Sequence, residues 1–408
     1  MQFTDTIEAH YLLSIQEKEV SLYFHIPFCK TMCLFCACSV ILNRDPERQI
    51  AYVKALCREI RLLAEKLPSR KTITQLHFGG GTPTLLTPKE LEKIFSTLFA
   101  YFDIAKDIEM SIEIDPRTVT EEKLTFLKNI GFNRVSFGVQ DIQADVQEAV
   151  KRRQTWEMTS LTYRWAREIF SSIHIDLIYG LPLQTPESFQ ETIGKIAGLR
   201  PDRLSLFSYA KVPWLKPHQK AIKDRDLPST FAKFQIYLQA RNHLIASGYE
   251  AIGMDHFSLK TDELSIAYQK GILCRNFQGY SVKKAKYLLG LGVTAISLLP
   301  DLYVQNEKGL EGYREAIQKN RLPLFRGKKL SEEDKIRRDI IHTLMCDFSL
   351  DTEKFPTFPF AEIVLDPRLA YFENKRLMTT ELGKLFIRHV ASYFDAYLQK
   401  EGAYSKGI

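Results

Sequence analysis

The chain has 408 residues, of which 45% are hydrophobic and 26% charged, and it contains 20 Gly, 17 Pro and 7 Cys. These fractions are typical of a packed globular protein and exclude a disordered, collagen-like or disulfide-stabilised chain. The length allows roughly two or three domains. The formal net charge of +7 at pH 7 is mildly basic and fits an anionic ligand as well as it fits nucleic acid.

The sequence predicts a cytoplasmic protein without a membrane span. Its most apolar stretch, 287–304, is interrupted by Gly, Ser, Pro and Asp, and it lacks the roughly 18 continuous apolar residues that a span needs. The first ten residues show no basic region followed by an apolar one, so we expect no secretion signal. Four cysteines fall within 29–38, which in a cytosolic chain indicates a metal site rather than disulfides.

Strand-like and helix-like segments alternate through the first half of the chain. The residues between the strands have helical spacing over 46–67, and Thr87 and Thr185 are each an expected helix N-cap followed by Pro. This order predicts βαβ units around a parallel sheet, an α/β fold built as a partial (βα)6 TIM-like barrel. Ligands of such a fold bind at the carboxyl ends of the strands. The predicted strands span 21–28, 73–80, 108–114, 134–140, 174–180 and 203–210.

The alternation stops near residue 215, and helical patterns follow at 229–247 and 332–348. A Gly-rich apolar stretch near 288–297 separates them, and the tail ends in a helix-like run over 382–400. We therefore predict a smaller, mostly helical C-terminal part. The predicted divisions are an N-terminal extension over 1–20, the barrel core over 21–215, a region over 216–349 that completes the barrel and caps the ligand, and a small helical domain over 350–408.

The three cysteines Cys29, Cys33 and Cys36 follow the first predicted strand directly. Three thiolates on one loop can bind a single soft metal centre, and with a four-iron cluster they would leave one iron open. A structural zinc that takes Cys38 as a fourth ligand is the alternative, although Cys36 and Cys38 are closer together than paired zinc ligands usually are. The motif Gly79-Gly80-Gly81 ends the second predicted strand, where missing Cβ atoms allow close approach to a ligand.

These motifs together resemble the radical S-adenosylmethionine (radical SAM) enzymes, whose signature is three cysteines followed by a Gly-rich strand end. The resemblance is more specific to the oxygen-independent coproporphyrinogen III oxidase family and covers about residues 20–350. It rests on several motifs in order: YFHIPFC (23–29) with the extra Cys38, GGGTPT (79–84), SIEIDPR (111–117), FNRVSFGVQD (132–141), IDLIYGLPLQTPESF (175–189), DRLSLFSYA (202–210), GMDHF (253–257) and RNFQGY (275–280).

The resemblance implies two cofactors and a set of site residues. Cys29, Cys33 and Cys36 would bind a 4Fe-4S cluster, and S-adenosylmethionine would bind its open iron. A second S-adenosylmethionine would bind nearby. The residues implied for the first molecule are Tyr23, Phe35, Gly80, Glu113 and Ile296, and those for the second are Gly81, Thr82, Gln140, Arg152, Asp176 and Ala210. Arg152 and Asp176 suit the two charges of a methionine moiety, whereas Arg152 without the resemblance would be expected on a solvated face beside Lys151 and Arg153.

The resemblance also implies the reaction, a radical decarboxylation of two propionates of coproporphyrinogen III to vinyl groups, which gives protoporphyrinogen IX for haem biosynthesis. An electron donor such as flavodoxin or ferredoxin and an unidentified electron acceptor would be partners, and nucleic acid would not. Cys38 and Gln278 are the candidate catalytic residues, and Arg275 is the candidate clamp for a propionate. His25 could hydrogen-bond a cluster sulfur or a propionate.

A haem chaperone of the same superfamily is the alternative function. It shares the three cysteines and the GGGTPT motif, but it usually lacks a cysteine at the position of Cys38 and differs in GMDHF and RNFQGY. The sequence therefore favours the enzyme. A zinc-stabilised binding protein would explain the cysteines but not GGGTPT or Glu113.

Overall fold

The computed structural model describes residues 3–282 and 286–398. The helices are α1 (Phe3–Ser14), α2 (Pro46–Lys66), α3 (Pro88–Tyr101), α4 (Glu121–Asn129), α5 (Ala144–Ala149), α6 (Trp156–Ile169), α7 (Pro186–Leu199), α8 (Thr230–Ala246), α9 (Glu263–Gln269), α10 (Leu310–Gln318), α11 (Glu332–Asp347), α12 (Glu381–Leu385) and α13 (Ile387–Ser392).

The strands are β1 (Glu19–Ile26), β2 (Phe28–Cys29), β3 (Ile41–Leu42), β4 (Thr72–Gly80), β5 (Asp103–Ile114), β6 (Arg134–Gln140), β7 (Ser172–Tyr179), β8 (Arg203–Ser208), β9 (Tyr249–Ile252), β10 (His256–Leu259), β11 (Cys274–Arg275), β12 (Tyr280–Ser281), β13 (Leu288–Leu291), β14 (Ile296–Leu298), β15 (Leu302–Asn306), β16 (Leu324–Lys329), β17 (Ser349–Asp351), β18 (Ala370–Glu373) and β19 (Arg376–Thr379).

The main sheet has the strand order β16-β15-β14-β13-β1-β4-β5-β6-β7-β8-β10-β9. Strands β1 and β4 to β8 pair in parallel, with helices between them, which confirms the predicted six βα units of the partial barrel. Strand β13 adds to the free side of β1, also in parallel, and the remaining strands of the sheet pair antiparallel. The two end strands, β16 and β9, do not pair with each other in the part of the chain that the structure describes.

The helices of the barrel begin where the sequence predicts. Thr87 and Thr185 both cap their helices through a reciprocal pair of hydrogen bonds with the third helical residue, and Pro occupies the first helical position after each. Helix α2 buries residues at intervals of three and four, which places one apolar stripe against the sheet. The main hydrophobic core therefore lies between the parallel strands and these helices.

The second half of the chain is helical at α8 and α11, as the periodicity predicts, but it is less helical than we expected. Residues 249–329 add six strands to the main sheet, and residues 349–379 form a separate sheet in the order β17-β19-β18. The helix predicted over 382–400 is two short helices within its described part. These strands are short, between three and six residues, and so gave little periodicity.

A second hydrophobic core joins α11 to the C-terminal sheet and helices. It contains Ile340 and Leu344 of α11, which precede the predicted boundary at residue 350, and also Met254 from the turn between β9 and β10. The predicted division of the chain into domains stays a prediction. None of the helices in the described residues has the length and hydropathy that crossing a membrane requires.

Candidate active site

A cavity of about 520 Å³ lies on the face of the parallel strands that is turned away from the helices. Alternate residues of each strand line it, for example Ser136, Gly138 and Gln140 of β6. The intervening residues Val135 and Phe137 are buried in the main core. Polar residues thus occupy one side of the sheet and apolar residues the other, because side chains along a strand alternate between its two faces.

The thiol loop, residues 29–38, forms one wall of this cavity. Cys29, Cys33, Cys36 and Cys38 all line it, and all four are free thiols. Burial raises the pKa of Cys29 to about 11. A hydrogen bond between Cys36 and Cys38 lowers the pKa of Cys36 to about 7 and raises that of Cys38. The loop therefore presents four thiols to the cavity, and those of Cys29, Cys36 and Cys38 differ in acidity.

Neighbouring elements hold the thiol loop through its backbone. The carbonyl of Cys36 lies 2.8 Å from His218 Nε2, and the carbonyl of Phe35 accepts a hydrogen bond from Gln219 at 2.8 Å. The backbone N–H of Leu34 donates to the carbonyl of Val150 at 2.9 Å. These bonds fix the loop from two sides of the barrel mouth.

The thiol donor set fits a soft metal centre with three protein ligands. Cys29 Sγ lies 3.4 Å from Thr82 Oγ1, and Cys33 Sγ accepts hydrogen bonds from Arg152 at 3.6 Å and Arg117 at 3.8 Å. Both sulfur atoms therefore have hydrogen-bond donors beside them, as metal ligands in proteins commonly do. Across residues 3–282 and 286–398, no three Cys, His, Asp or Glu side chains form a preassembled metal-binding group, so the thiols lie along the cavity wall rather than around one point.

The glycine motif packs against the strand that precedes the thiol loop. Gly80 has a φ of +115°, which favours glycine, and a Cβ there would lie 2.6 Å from the ring of His25. A Cβ on Gly81 would lie 2.7 Å from the backbone oxygens of Pro27 and Phe28. Both positions therefore require glycine so that β4 can end directly beside the thiol loop.

Glu113 of β5 faces the glycine motif. Its carboxylate accepts a hydrogen bond from the backbone N–H of Gly80 at 3.1 Å and lies 3.4 Å from His77 Nε2. Burial opposes ionisation, but the hydrogen bond and charge of His77, together with the Gly80 amide, hold the pKa of Glu113 below its ordinary value. Glu113 is thus an ionised acceptor at the cavity wall, suited to an ammonium group or to several donors.

Arg152 is buried, at 7% exposed, and lies inside the site rather than on the solvated face that its basic neighbours predict. Its guanidinium lies 3.4 Å from Asp115 and also donates to the carbonyl of Gly138. Asp115 accepts a second guanidinium, that of Arg117, at 2.6 Å. Burial opposes ionisation of Asp115, but the two arginines hold its pKa below the ordinary value.

The sequence analysis did not include Asp115, Arg117 and His77 among the site residues. A signal for the first two was present, because Pro116 ends β5 and turns the following residue back into the site. His77 offered none beyond its place on β4, two residues before the glycine motif.

Asp176 of β7 lines the opposite part of the cavity. It accepts a hydrogen bond from Ser136 at 2.9 Å and lies 3.3 Å from His174 Nε2. Burial raises its pKa to about 6. Gln140 lines the same wall, with a left-handed φ of 71° and a buried Oε1 that lacks a hydrogen-bond partner within the described structure. These groups offer unused polar capacity to a ligand.

Most of the predicted site residues line this one cavity. They are the four cysteines of the thiol loop together with Phe35, Gly80, Gly81, Thr82, Glu113, Gln140, Arg152, Asp176, Ala210 and Gln278. Two predicted contacts of the first S-adenosylmethionine, Tyr23 and Ile296, do not line it. Tyr23 is buried behind His77, with the two rings stacked 5.9 Å apart.

Some residues of the RNFQGY motif line the cavity and others lie outside it. Gln278 lines the cavity, whereas Arg275 does not, and its guanidinium lies over the ring of Tyr280 at 5.4 Å. Phe277 contacts the edge of Tyr23 at 5.2 Å between ring centroids. His25 is also outside the cavity lining, with Nε2 2.8 Å from the carbonyl of Ser39 at the end of the thiol loop.

Comparison with known proteins identifies the family of this chain. The family model of the radical SAM superfamily matches residues 23–196. A protein named oxygen-independent coproporphyrinogen III oxidase from Salmonella typhimurium is 43% identical over 399 residues, which covers 94% of this chain and 87% of that protein. The chain belongs to the oxygen-independent coproporphyrinogen III oxidase family of radical SAM enzymes.

Other members of the family are also similar to this chain over nearly its whole length. The protein of that name from Synechocystis sp. is 40% identical and covers 95% of this chain and 88% of its own length. The solved structure of coproporphyrinogen III oxidase from Escherichia coli, described as a radical SAM enzyme, superposes with a TM-score of 0.90 at 40% identity. It covers 97% of this chain and 95% of its own. The family fold is therefore present over nearly the whole chain, including the C-terminal part.

Proposed function

We propose that this protein oxidatively decarboxylates two propionate side chains of coproporphyrinogen III to vinyl groups without oxygen, giving protoporphyrinogen IX for haem biosynthesis. One observation supports this best: three free thiols, a glycine strand end and the ionised Glu113 meet in one cavity at the barrel mouth. The names of the relatives support the substrate.

In this proposal Cys29, Cys33 and Cys36 hold a 4Fe-4S cluster, and S-adenosylmethionine binds beside it. Together these two groups supply one-electron cleavage of the sulfonium, which makes hydrogen abstraction from a propionate possible. Glu113 accepts hydrogen bonds from the amino group of S-adenosylmethionine, and Gly80 gives this ligand close access to the strand end. The cavity itself positions the propionate and keeps water from the reacting carbon.

A second S-adenosylmethionine, contacted by Gln140, Arg152 and Asp176, is part of the proposal. The unpartnered Oε1 of Gln140 and the acidic group of Asp176 are available for the amino end of its methionine moiety. Arg152 is available for its carboxylate only if it gives up part of its bonding to Asp115 and Gly138. Equilibrium binding to the protein, with the number of molecules per chain as readout, tests this part separately.

The cluster needs electrons from outside the molecule, and we propose a small electron-carrier protein such as flavodoxin or ferredoxin as donor. A separate, unidentified acceptor would take the last electron of each decarboxylation. Cys38 of the thiol loop and Gln278 of the RNFQGY hairpin both line the cavity. They remain our candidates for contacts with the reacting porphyrinogen.

An anaerobic turnover assay tests the proposed function. The reconstituted protein receives coproporphyrinogen III, S-adenosylmethionine and excess dithionite, and the products are separated after oxidation to porphyrins. We expect protoporphyrin and 5′-deoxyadenosine to appear together. Deoxyadenosine without decarboxylated porphyrin would contradict the proposed substrate. If neither product appeared although the cluster was intact, haem binding would replace decarboxylation as the proposed function. Zinc in place of iron and sulfide would overturn the cofactor.

A further inference from the structure

A second cleft lies on the outer side of the thiol loop. It has a volume of about 440 Å³ and is lined by Lys30, Thr31, Met32, Leu42, Arg44 and Lys151. We call these six residues the basic cleft. Its three cationic residues are exposed, and Leu42 is 50% exposed. The cleft thus combines a small apolar area with a positively charged rim, a common composition for a protein-binding surface.

The basic cleft and the cavity share the thiol loop as a wall. Lys30 directly follows Cys29, and Thr31 and Met32 directly precede Cys33. On the opposite wall, Lys151 follows Val150, whose carbonyl is bonded to the loop, and precedes Arg152, which contacts Cys33 Sγ at 3.6 Å. A molecule in this cleft would therefore lie one loop thickness from the cluster ligands.

The three cations of the basic cleft are not paired with carboxylates in the described part of the chain. Within the described residues, Lys30, Arg44 and Lys151 form no ion pair of 4.0 Å or less. The carboxylates nearest in sequence are engaged elsewhere. Asp45 accepts a hydrogen bond from the backbone of Glu47 as the cap of α2, and Glu148 pairs with Arg153 at 2.7 Å.

A left-handed turn presents Lys151 to the cleft. Its φ is +54°, a backbone conformation that usually favours glycine or asparagine. The same turn ends α5 and supplies the carbonyl that holds the thiol loop. Lys151 therefore combines a left-handed backbone conformation with a charged side chain that lines the cleft.

We propose that the basic cleft is the docking surface for a small acidic electron-carrier protein, which passes single electrons to the cluster held by Cys29, Cys33 and Cys36. This inference rests on the proposed function. In each transfer the reduced carrier loses one electron, the cluster gains it, and no bond or proton changes. Electron transfer rates fall steeply with distance, so a carrier must approach by the surface nearest the cluster. Complementary charge on the two surfaces accelerates that approach.

Binding of an acidic flavodoxin to the reconstituted protein tests the docking surface. The variant is Lys30→Glu/Arg44→Glu/Lys151→Glu. Its matched control is Lys18→Glu/Lys106→Glu/Lys128→Glu, which makes the same charge change at exposed lysines at the amino ends of the strands. Affinity is measured by titration calorimetry at low and high salt. Loss of three exposed attractions and gain of three repulsions is expected to weaken binding at least about tenfold at low salt.

The expected result is a loss confined to the cleft variant, with affinity that falls as salt rises in the wild type and control. If the reversed charges disturb folding, Lys30→Gln/Arg44→Gln/Lys151→Gln replaces the cleft variant. Iron and sulfide content must match the wild type in each variant. Equal affinities of cleft variant and control would overturn the docking surface, as would tight binding of the basic protein cytochrome c in place of flavodoxin.

The two proposals fail in different experiments. Dithionite-driven turnover of the wild type requires no carrier protein, so its failure would overturn the proposed function alone. The flavodoxin titration reads binding rather than turnover, so its failure would overturn only the docking surface.

Discussion

Arg117 and Arg152 contact the same carboxylate, that of Asp115, and the same thiol, that of Cys33. Sequence reasoning places basic side chains on the surface by default, because an unpaired buried cation is costly. Only the three-dimensional arrangement shows that Asp115 contacts both guanidinium groups. The sequence motif SIEIDPR indicated the strand end, but the pairing of its Asp with Arg152, 37 positions further along, was not predictable from one sequence.

The four cysteines of the thiol loop give a first test at this scale. Cys33→Ser is expected to abolish cluster binding and activity, because Cys33 is one of three proposed ligands. Cys38→Ser is expected to retain the cluster and to lower turnover. Iron and acid-labile sulfide per chain, with the electron paramagnetic resonance signal of the reduced protein, measure both. A full cluster in Cys33→Ser, or iron loss in Cys38→Ser, would reverse the ligand assignment.

Glu59 is a buried carboxyl group of α2 that supports the site from outside it. It accepts hydrogen bonds from the backbone N–H of Gly292 at 2.8 Å, the amide of Asn306 at 2.7 Å and the hydroxyl of Tyr313. Burial nevertheless raises the pKa of Glu59 to about 7. The network holds the turn after β13, where the Gly292 backbone approaches His25 near the end of β1.

This raised pKa predicts a dependence of stability on pH. Between about pH 4.5 and 7 the unfolded chain ionises Glu59 and the folded chain does not, so its stabilising contribution falls as pH rises. The loss is about 3 kcal/mol at 1.36 kcal/mol per pKa unit. Glu59→Gln cannot ionise. Between pH 4.5 and 7.5 the unfolding free energy of the wild type should therefore fall by about this amount relative to that of the variant. Urea denaturation at the two pH values measures it, and a constant difference would contradict the ionisation.

At the scale of elements, the sequence predicted the parallel half of the fold well. Strand β6 has the predicted bounds of 134–140, and β4, β5, β7 and β8 lie within a few residues of theirs. Strands β4 and β7 are followed by helices with a Thr cap and Pro at the first helical position, so two signals agreed there. The short strands β9, β10 and β13 to β16 lack both signals. Their places in the sheet depend on two pairings between strands far apart in sequence, β13 with β1 and β10 with β8, which a single sequence does not reveal.

Tyr280 on β12 connects three of these elements. Its hydroxyl donates to the carbonyl of Met345 on α11 at 2.7 Å and accepts from the backbone N–H of Met254, between β9 and β10, at 3.2 Å. Tyr280 is buried, at 7% exposed. It therefore links the hairpin that carries Gln278 to both the main sheet and the second core.

Tyr280→Phe is expected to lower the free energy of unfolding by about 1–3 kcal/mol, because two buried backbone groups lose a partner. Tyr371→Phe is the matched control, since Tyr371 lies on β18 and is 43% exposed. Thermal denaturation of both variants measures the difference. An equal effect of the two substitutions would show that the hydroxyl of Tyr280 does not join the elements.

At the scale of the whole molecule, the predicted barrel core over 21–215 does not include all the neighbours of its own strands. Strand β1 pairs with β13 through Leu288–Leu291, and β8 pairs with β10 through His256–Ser258. A fragment limited to 21–215 would expose both strand edges, and exposed edges promote association between chains. We expect that fragment to be insoluble or oligomeric when expressed alone, and the full chain under the same conditions not to be. Sedimentation of the two proteins measures this, and a monomeric fragment would contradict it.

The pairing of β1 with β13 also bears on how the protein is made. The strand that leads into the thiol loop is translated within the first 26 residues, yet its outer neighbour ends at Leu291. On the ribosome, the side of β1 that faces β13 stays open until more than two thirds of the chain has been synthesised. The thiols are therefore complete early in translation but gain their final support late. We therefore expect the strand that leads into the thiol loop to gain its last neighbour only after β13 has emerged.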